Sequence, residues 1–132
     1  MKPAPKGLFQ IFFVVDIGFI IYWTITYLHL LPPELLYKDY TNSILMDWNW
    51  SFFPIDMLIS TSGLNAIRLF RKKSSTWVFF ALVSLFLTMS SGLMAISFWT
   101  FHRDFDLGWW LPNLFLLIYP VFYLRNLNNS IN

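Results

Sequence analysis

Four apolar stretches, at about 8–31, 49–70, 76–101 and 107–124, constrain this chain more than any other feature. An α-helix rises about 1.5 Å per residue, so roughly 20 residues cross the hydrocarbon of a bilayer. Lipid offers no partner to a bare backbone amide, which leaves helices and closed barrels as the only spanning structures. The stretches are too long, and too uniformly apolar, for barrel strands. The expected fold is therefore all-α: a four-helix integral membrane bundle forming a single domain. The first stretch is not read as a secretory signal. It exceeds a signal core in length, carries Asp16 in its middle and ends without a small-residue cleavage pattern; Pro32-Pro33 stops it instead.

Composition agrees with a lipid solvent. Only 12% of residues are charged against 57% hydrophobic, where a soluble domain carries about 25% charged residues. Fifteen Phe, seven Trp and six Tyr suit a small bundle with ring-rich interfaces. The absence of cysteine excludes disulfides, thiolate metal sites and cysteine nucleophiles. A net charge of +2 is too small to suggest nucleic-acid binding.

Basic residues set the expected orientation. Lys2, Lys6, Arg68, Arg71, Lys72, Lys73 and Arg125 fall on one side of the four spans, Lys38 and Arg103 on the other. The positive-inside rule then places both termini in the cytoplasm of a multi-pass cell-membrane protein. Glu34, Asp39, Asp47, Asp104 and Asp106 fall outside, so Asp16 and Asp56 alone lie within the membrane. Trp48, Trp50, Trp99, Trp109 and Trp110 sit near the outer boundary and read first as an interfacial aromatic belt.

An ionised aspartate at mid-membrane costs about 2.5 to 3.5 kcal/mol on insertion scales, so two of them ask for a compensating role. Counting residues places Asp16 roughly 12 Å from the inner boundary and Asp56 roughly 10 Å from the outer one. At that separation they do not share a proton, but they can line one cavity. Tyr22, Trp23, Thr26, Ser90, Ser91 and Asn113 fall at the depth of Asp56; Ser62, Asn65, Ser84 and Tyr119 fall at that of Asp16. Pro54, just before Asp56, is expected to bend its helix and open space there. Ala81, Ser84, Thr88, Ser91, Gly92 and Ala95 form a small-residue stripe suited to close helix packing.

Other motifs carry less. His29, His102, Asp104, Asp106 and Glu34 are unspecifically spaced for a metal, so no metal or other cofactor is expected. Asn49 heads an Asn-Trp-Ser acceptor pattern, but too near the membrane for glycosylation. Phosphate loops, zincin motifs and nucleophile elbows are missing from the sequence.

The phrases LPPELLYKDYTN, WNWSFFPIDMLIS, SGLMAISFWT and WWLPNLFLLIYPVFYL together resemble the YvaD-like family of small Bacillus membrane proteins over about residues 10–125. The resemblance implies four membrane helices and no activity. The layout, with a proline-containing outer loop, a Trp-rich second helix and a proline-bearing last helix, is similar to that of the emopamil-binding (EXPERA) superfamily of sterol isomerases and sigma-2-type receptors. That likeness implies a membrane-embedded acid holding a cationic ligand or a carbocation, a part that Asp56 would play; it assigns no catalytic residue.

The leading reading is a polar intramembrane pocket for a lipophilic or cationic small molecule, lined by Asp56, Asp16, Asn113, Tyr22 and Trp23. Two others stay open: an accessory subunit whose acids bond to a partner or a second copy, and a lipid isomerase or cyclase with Asp56 as proton donor.

Overall fold

In the computed structural model, which describes residues 3–131, every long element is a helix: α1 (Leu8–Tyr27), α2 (Ser43–Trp50), α3 (Phe52–Arg71), α4 (Trp77–Phe101) and α5 (Leu107–Ile131). A single 3-10 turn, Pro33–Leu35, lies between α1 and α2. Lys2, counted above for orientation, lies outside the described residues. By length and composition α1, α4 and Leu107–Asn128 of α5 are apolar enough to cross a membrane. Helix α3 matches α1 in length at 20 residues, but spends part of its surface on Asp56, Ser60 and Ser62. All three are buried inside the protein, so its polar face looks inward.

The three helices α1, α3 and α4 end in the same way. Each places a residue in the left-handed region just past its cap: His29 (φ 52°), Lys73 (φ 57°) and Arg103 (φ 59°). The next amide then bonds back across the last turn, Leu30 N to Ile25 O at 3.1 Å, Ser74 N to Leu69 O at 3.0 Å and Asp104 N to Trp99 O at 3.0 Å. This Schellman arrangement satisfies carbonyls that a helix end leaves bare. It also stops α1 at Tyr27, ahead of the Pro32-Pro33 stop expected from the sequence.

The second apolar stretch, expected over about 49–70, forms α3, and a separate short helix, α2, precedes it. Asn42 caps α2 by accepting from the Ile44 and Leu45 amides, at 3.0 and 3.3 Å, and the chain turns at Ser51 before α3 begins. Pro54 consequently falls in the first turn of α3. The break at Ser51 is the bend expected there: Pro54 has no N–H to give the Trp50 carbonyl four residues back, and its ring crowds that carbonyl.

Backbones pack in the order α1 on α3, α3 on α4, and α4 on α5. The small-residue stripe makes this possible. A methyl added at Gly92 would lie 2.7 Å from the Leu117 nitrogen and 2.8 Å from the Asn113 carbonyl oxygen, so α4 and α5 touch backbone to backbone. At the end carrying both termini, Leu8, Phe12 and Val15 of α1 join Ala66, Trp77, Ala81, Leu85, Tyr119 and Leu127 in one buried cluster. The opposite end is covered by α2, the long α1–α2 connection and the short α4–α5 loop.

Candidate functional site

Asp56 sits one turn into α3 and is almost wholly buried, at 4% exposure. The Trp23 indole Nε1–H, from α1, donates to its Oδ2 at 2.8 Å; the Ser91 hydroxyl, from α4, reaches its Oδ1 at 3.5 Å. Three helices thus converge on one carboxylate, each positioned by its own inward face. Trp23 is held in turn by rings of Tyr22, Trp50 and Phe53, with centroids 4.9, 5.1 and 5.4 Å away.

Beside Asp56 lies a cavity of about 330 Å³. Eight aromatic rings line it, among them Tyr22, Trp23, Trp48, Trp99 and Trp109. Ser91 and Ala95 of the small-residue stripe line it on the α4 side, and the large flat rings of the other walls do not interlock to fill it. Polar atoms are few. The Tyr22 hydroxyl reaches the Leu36 carbonyl at 3.1 Å and the Asn49 Oδ1 at 3.3 Å, fastening α1 to the connection and to α2. Asn113 donates its amide to the Trp109 carbonyl at 2.7 Å, one turn back on α5. With its side chain bonded to Tyr22 beside the cavity, Asn49 is unsuited to carry a glycan.

The charged residues lining the cavity are Asp56 and Lys38. Lys38 is already neutralised: its ammonium donates to Asp104 at 2.6 Å, lies 3.7 Å from Asp106 and stands 5.6 Å from the centre of the Trp99 ring. This hydrogen bond holds the Asp104 carboxyl below the usual carboxylate range. Asp56 has donors but no cation.

Four of the five residues expected at the site, Asp56, Asn113, Tyr22 and Trp23, come together around this cavity. Asp16 does not join them. It is 1% exposed and turned toward α3, where Ser60 donates to its backbone carbonyl at 3.1 Å. Its carboxylate packs so closely on Gly63 that any side chain there would overlap it, and neither carboxylate oxygen has a hydrogen-bond partner among the described residues. The expectation that both acids line one cavity does not hold for Asp16, because depth fixes only the layer; which neighbour a residue meets depends on helix rotation and spacing.

Residue counting also undervalued several groups. Trp48, Trp99 and Trp109 were expected in a lipid-facing belt, yet all three line the cavity, and Trp99 is buried. Lys38 was read only as a topology signal; its partner Asp104 lies 66 residues away, so no local pattern joins them. Asp104 and Asp106 are engaged with Lys38, His102 stacks on Phe98 at 5.8 Å, and the described residues contain no group of three or more His, Asp or Glu placed to hold a metal ion.

Across 114 residues, 86% of each chain, the sequence is 50% identical to a protein of Bacillus subtilis (strain 168) described as uncharacterized protein YvaD. No solved structure matches it. Residues 8–131 match the family of unknown function DUF5360, and the chain belongs to that family.

Proposed function

We propose that this protein is a four-span membrane protein that holds a lipophilic organic cation in the cavity beside Asp56. The observation that carries the reading is a single uncompensated carboxylate enclosed by eight aromatic rings. Electron-rich ring faces attract a cation by about 0.5 to 2 kcal/mol each, more where water is excluded, and a buried carboxylate supplies the counter-charge. Lys38 over Trp99 illustrates the same attraction within the protein. Trp23 and Ser91 orient the Asp56 carboxylate, Tyr22 and Asn113 shape the wall, and the remaining lining accommodates apolar bulk. No cofactor enters this reading.

In the bilayer, α3 would be the fourth span, antiparallel to α1 and α4 and screened by them. Lys6, Arg68, Arg71, Lys72, Lys73 and Arg125 flank the end carrying the termini, which supports a cytoplasmic location for it. Both aspartates point into the protein, which favours a ligand over an accessory-subunit role in which they would bond to a partner's helices.

The test is thermal unfolding in detergent of wild type and Asp56→Asn with a series of long-chain alkylamines and their uncharged alcohol counterparts. Amines are expected to raise the midpoint of the wild type alone, and alcohols to act weakly on both. Equal shifts in the two proteins would remove Asp56 from binding.

A further inference from the structure

The walls of the cavity differ in how they are closed. Between α1 and α3 the hydrogen bond from Trp23 to Asp56 and that from Ser60 to the Asp16 carbonyl bring the helices together. The α3–α4 wall is closed by Ser91 on Asp56 and by Ser84 donating to the Ile59 carbonyl at 3.3 Å. At Gly92, α4 and α5 meet backbone to backbone. The remaining seam, α1 against α5, has no extended backbone contact. It is sealed only at its ends. Toward the termini, Leu8, Phe12 and Val15 meet Tyr119 and Leu127. At the other end the ion pairs from Lys38 to Asp104 and Asp106 strap the α1–α2 connection to the α4–α5 loop.

We propose that the middle of the α1–α5 seam is a lateral portal through which the cavity takes up its ligand from the acyl region of the bilayer, and that the Lys38 strap keeps water from entering at the loop end. This rests on the cavity holding a lipophile. Both flanking helices are apolar along membrane-spanning lengths, so acyl chains cover the seam. Phe19 and Leu116 line the cavity from opposite sides of it and are only half-buried, and Pro112 lines the cavity while remaining exposed. Gly18 marks the α1 edge. It follows Val15 by three residues and precedes Tyr22 by four, on the flank of α1 away from the α3-facing Asp16 and Trp23. A side chain built there meets nothing within 4 Å. A bulky side chain at Gly18 therefore has open space to occupy on this flank of α1.

The absence of cysteine makes a single reporter straightforward. Ala95 is buried on α4 and lines the cavity without touching Asp56, so Ala95→Cys labelled with bimane reports what enters. In phosphatidylcholine–phosphatidylglycerol vesicles, doxyl-labelled phosphatidylcholine is expected to quench the label strongly and external iodide weakly. Gly18→Phe should remove most of the lipid quenching. Replacing Asp104 and Asp106 together by Asn should raise iodide quenching and leave lipid quenching unchanged. Iodide quenching as strong as lipid quenching in the intact protein, or lipid quenching indifferent to Gly18→Phe, would overturn the portal. Should the label at Ala95 prevent folding, Leu116→Cys on the α5 wall carries it with the same expected outcomes. No ligand is used, so failure here is separate from failure of the alkylamine test, which bears on the cavity's occupant.

Discussion

The two halves of this bundle each bury one aspartate and treat it in opposite ways. In the half near the termini, Asp16 lies against Gly63 with neither carboxylate oxygen hydrogen-bonded, in the same half as the buried cluster that includes Leu8, Phe12, Ala66, Trp77 and Tyr119. In the half near α2 and the α4–α5 loop, Asp56 receives Trp23 and Ser91 and faces open space lined largely by rings. Local packing explains the contrast: Gly63 has no side chain, so the Asp16 carboxylate is squeezed against the α3 backbone, whereas the rings beside Asp56 leave space that side chains do not fill. An acid with no partner is a burden on the fold, and one with oriented donors beside a void is equipped for a ligand.

The largest effect is expected beside the cavity, where α4 and α5 meet most closely, from Gly92→Val. Its new methyls would strike the α5 backbone, which cannot rotate away as a side chain can, and a loss of about 3 kcal/mol is expected. Thermal unfolding followed by circular dichroism in detergent reads this directly; an unchanged midpoint would mean that α4 and α5 do not touch there.

Next comes the matched pair of aspartates. Asp56→Asn keeps an oxygen to accept from Trp23 but replaces the stronger, charged acceptor and turns its amide toward Ser91, and should cost about 1 kcal/mol. Asp16→Asn removes only an unpartnered acid and should leave the unfolding midpoint level or raise it. Equal destabilisation by both substitutions would erase the distinction between the halves.

Trp23→Phe keeps the ring contacts and deletes the N–H, so it isolates the hydrogen bond to Asp56. A loss of about 1 kcal/mol is expected, together with weaker alkylamine shifts. Full retention of both would make the indole a spacer and not an orienting donor.

The smallest effect belongs to the strap. Asp104 has a depressed pKa in the folded protein, so its contribution is present above the ordinary carboxylate value of 3.8 and is lost as the pH falls through the lower folded value. Between neutrality and about pH 5 the loop end should therefore keep its protection from hydrogen exchange, with loosening confined to more acidic buffer. High salt should loosen it slightly at any pH, because the pair is partly exposed.

Much of this arrangement is legible in residue order. A bilayer admits few alternatives to helices, so the apolar runs expose the long elements, and the rise per residue brings Tyr22, Trp23, Asp56 and Asn113 to one depth. Helix ends were harder to read. The left-handed position after a helix commonly holds glycine, and here His29, Lys73 and Arg103 occupy it with nothing in their identity to announce the turn. The break at Ser51 is announced only by Pro54, three residues on, while bulky rings on both sides blur where α2 ends and α3 begins.

By itself the sequence determined that the long segments are helices, how far along each of them the polar groups lie, and which end gathers the basic residues, because backbone hydrogen bonding and rise per residue are local properties. Tertiary structure alone decided that Asp56 faces a cavity while Asp16 is packed shut, that three tryptophans turn inward, and that Lys38 ties together two connections distant in sequence. Those outcomes depend on the rotation of each helix about its axis and on the spacing that side-chain bulk permits, quantities that exist only once the helices are in contact.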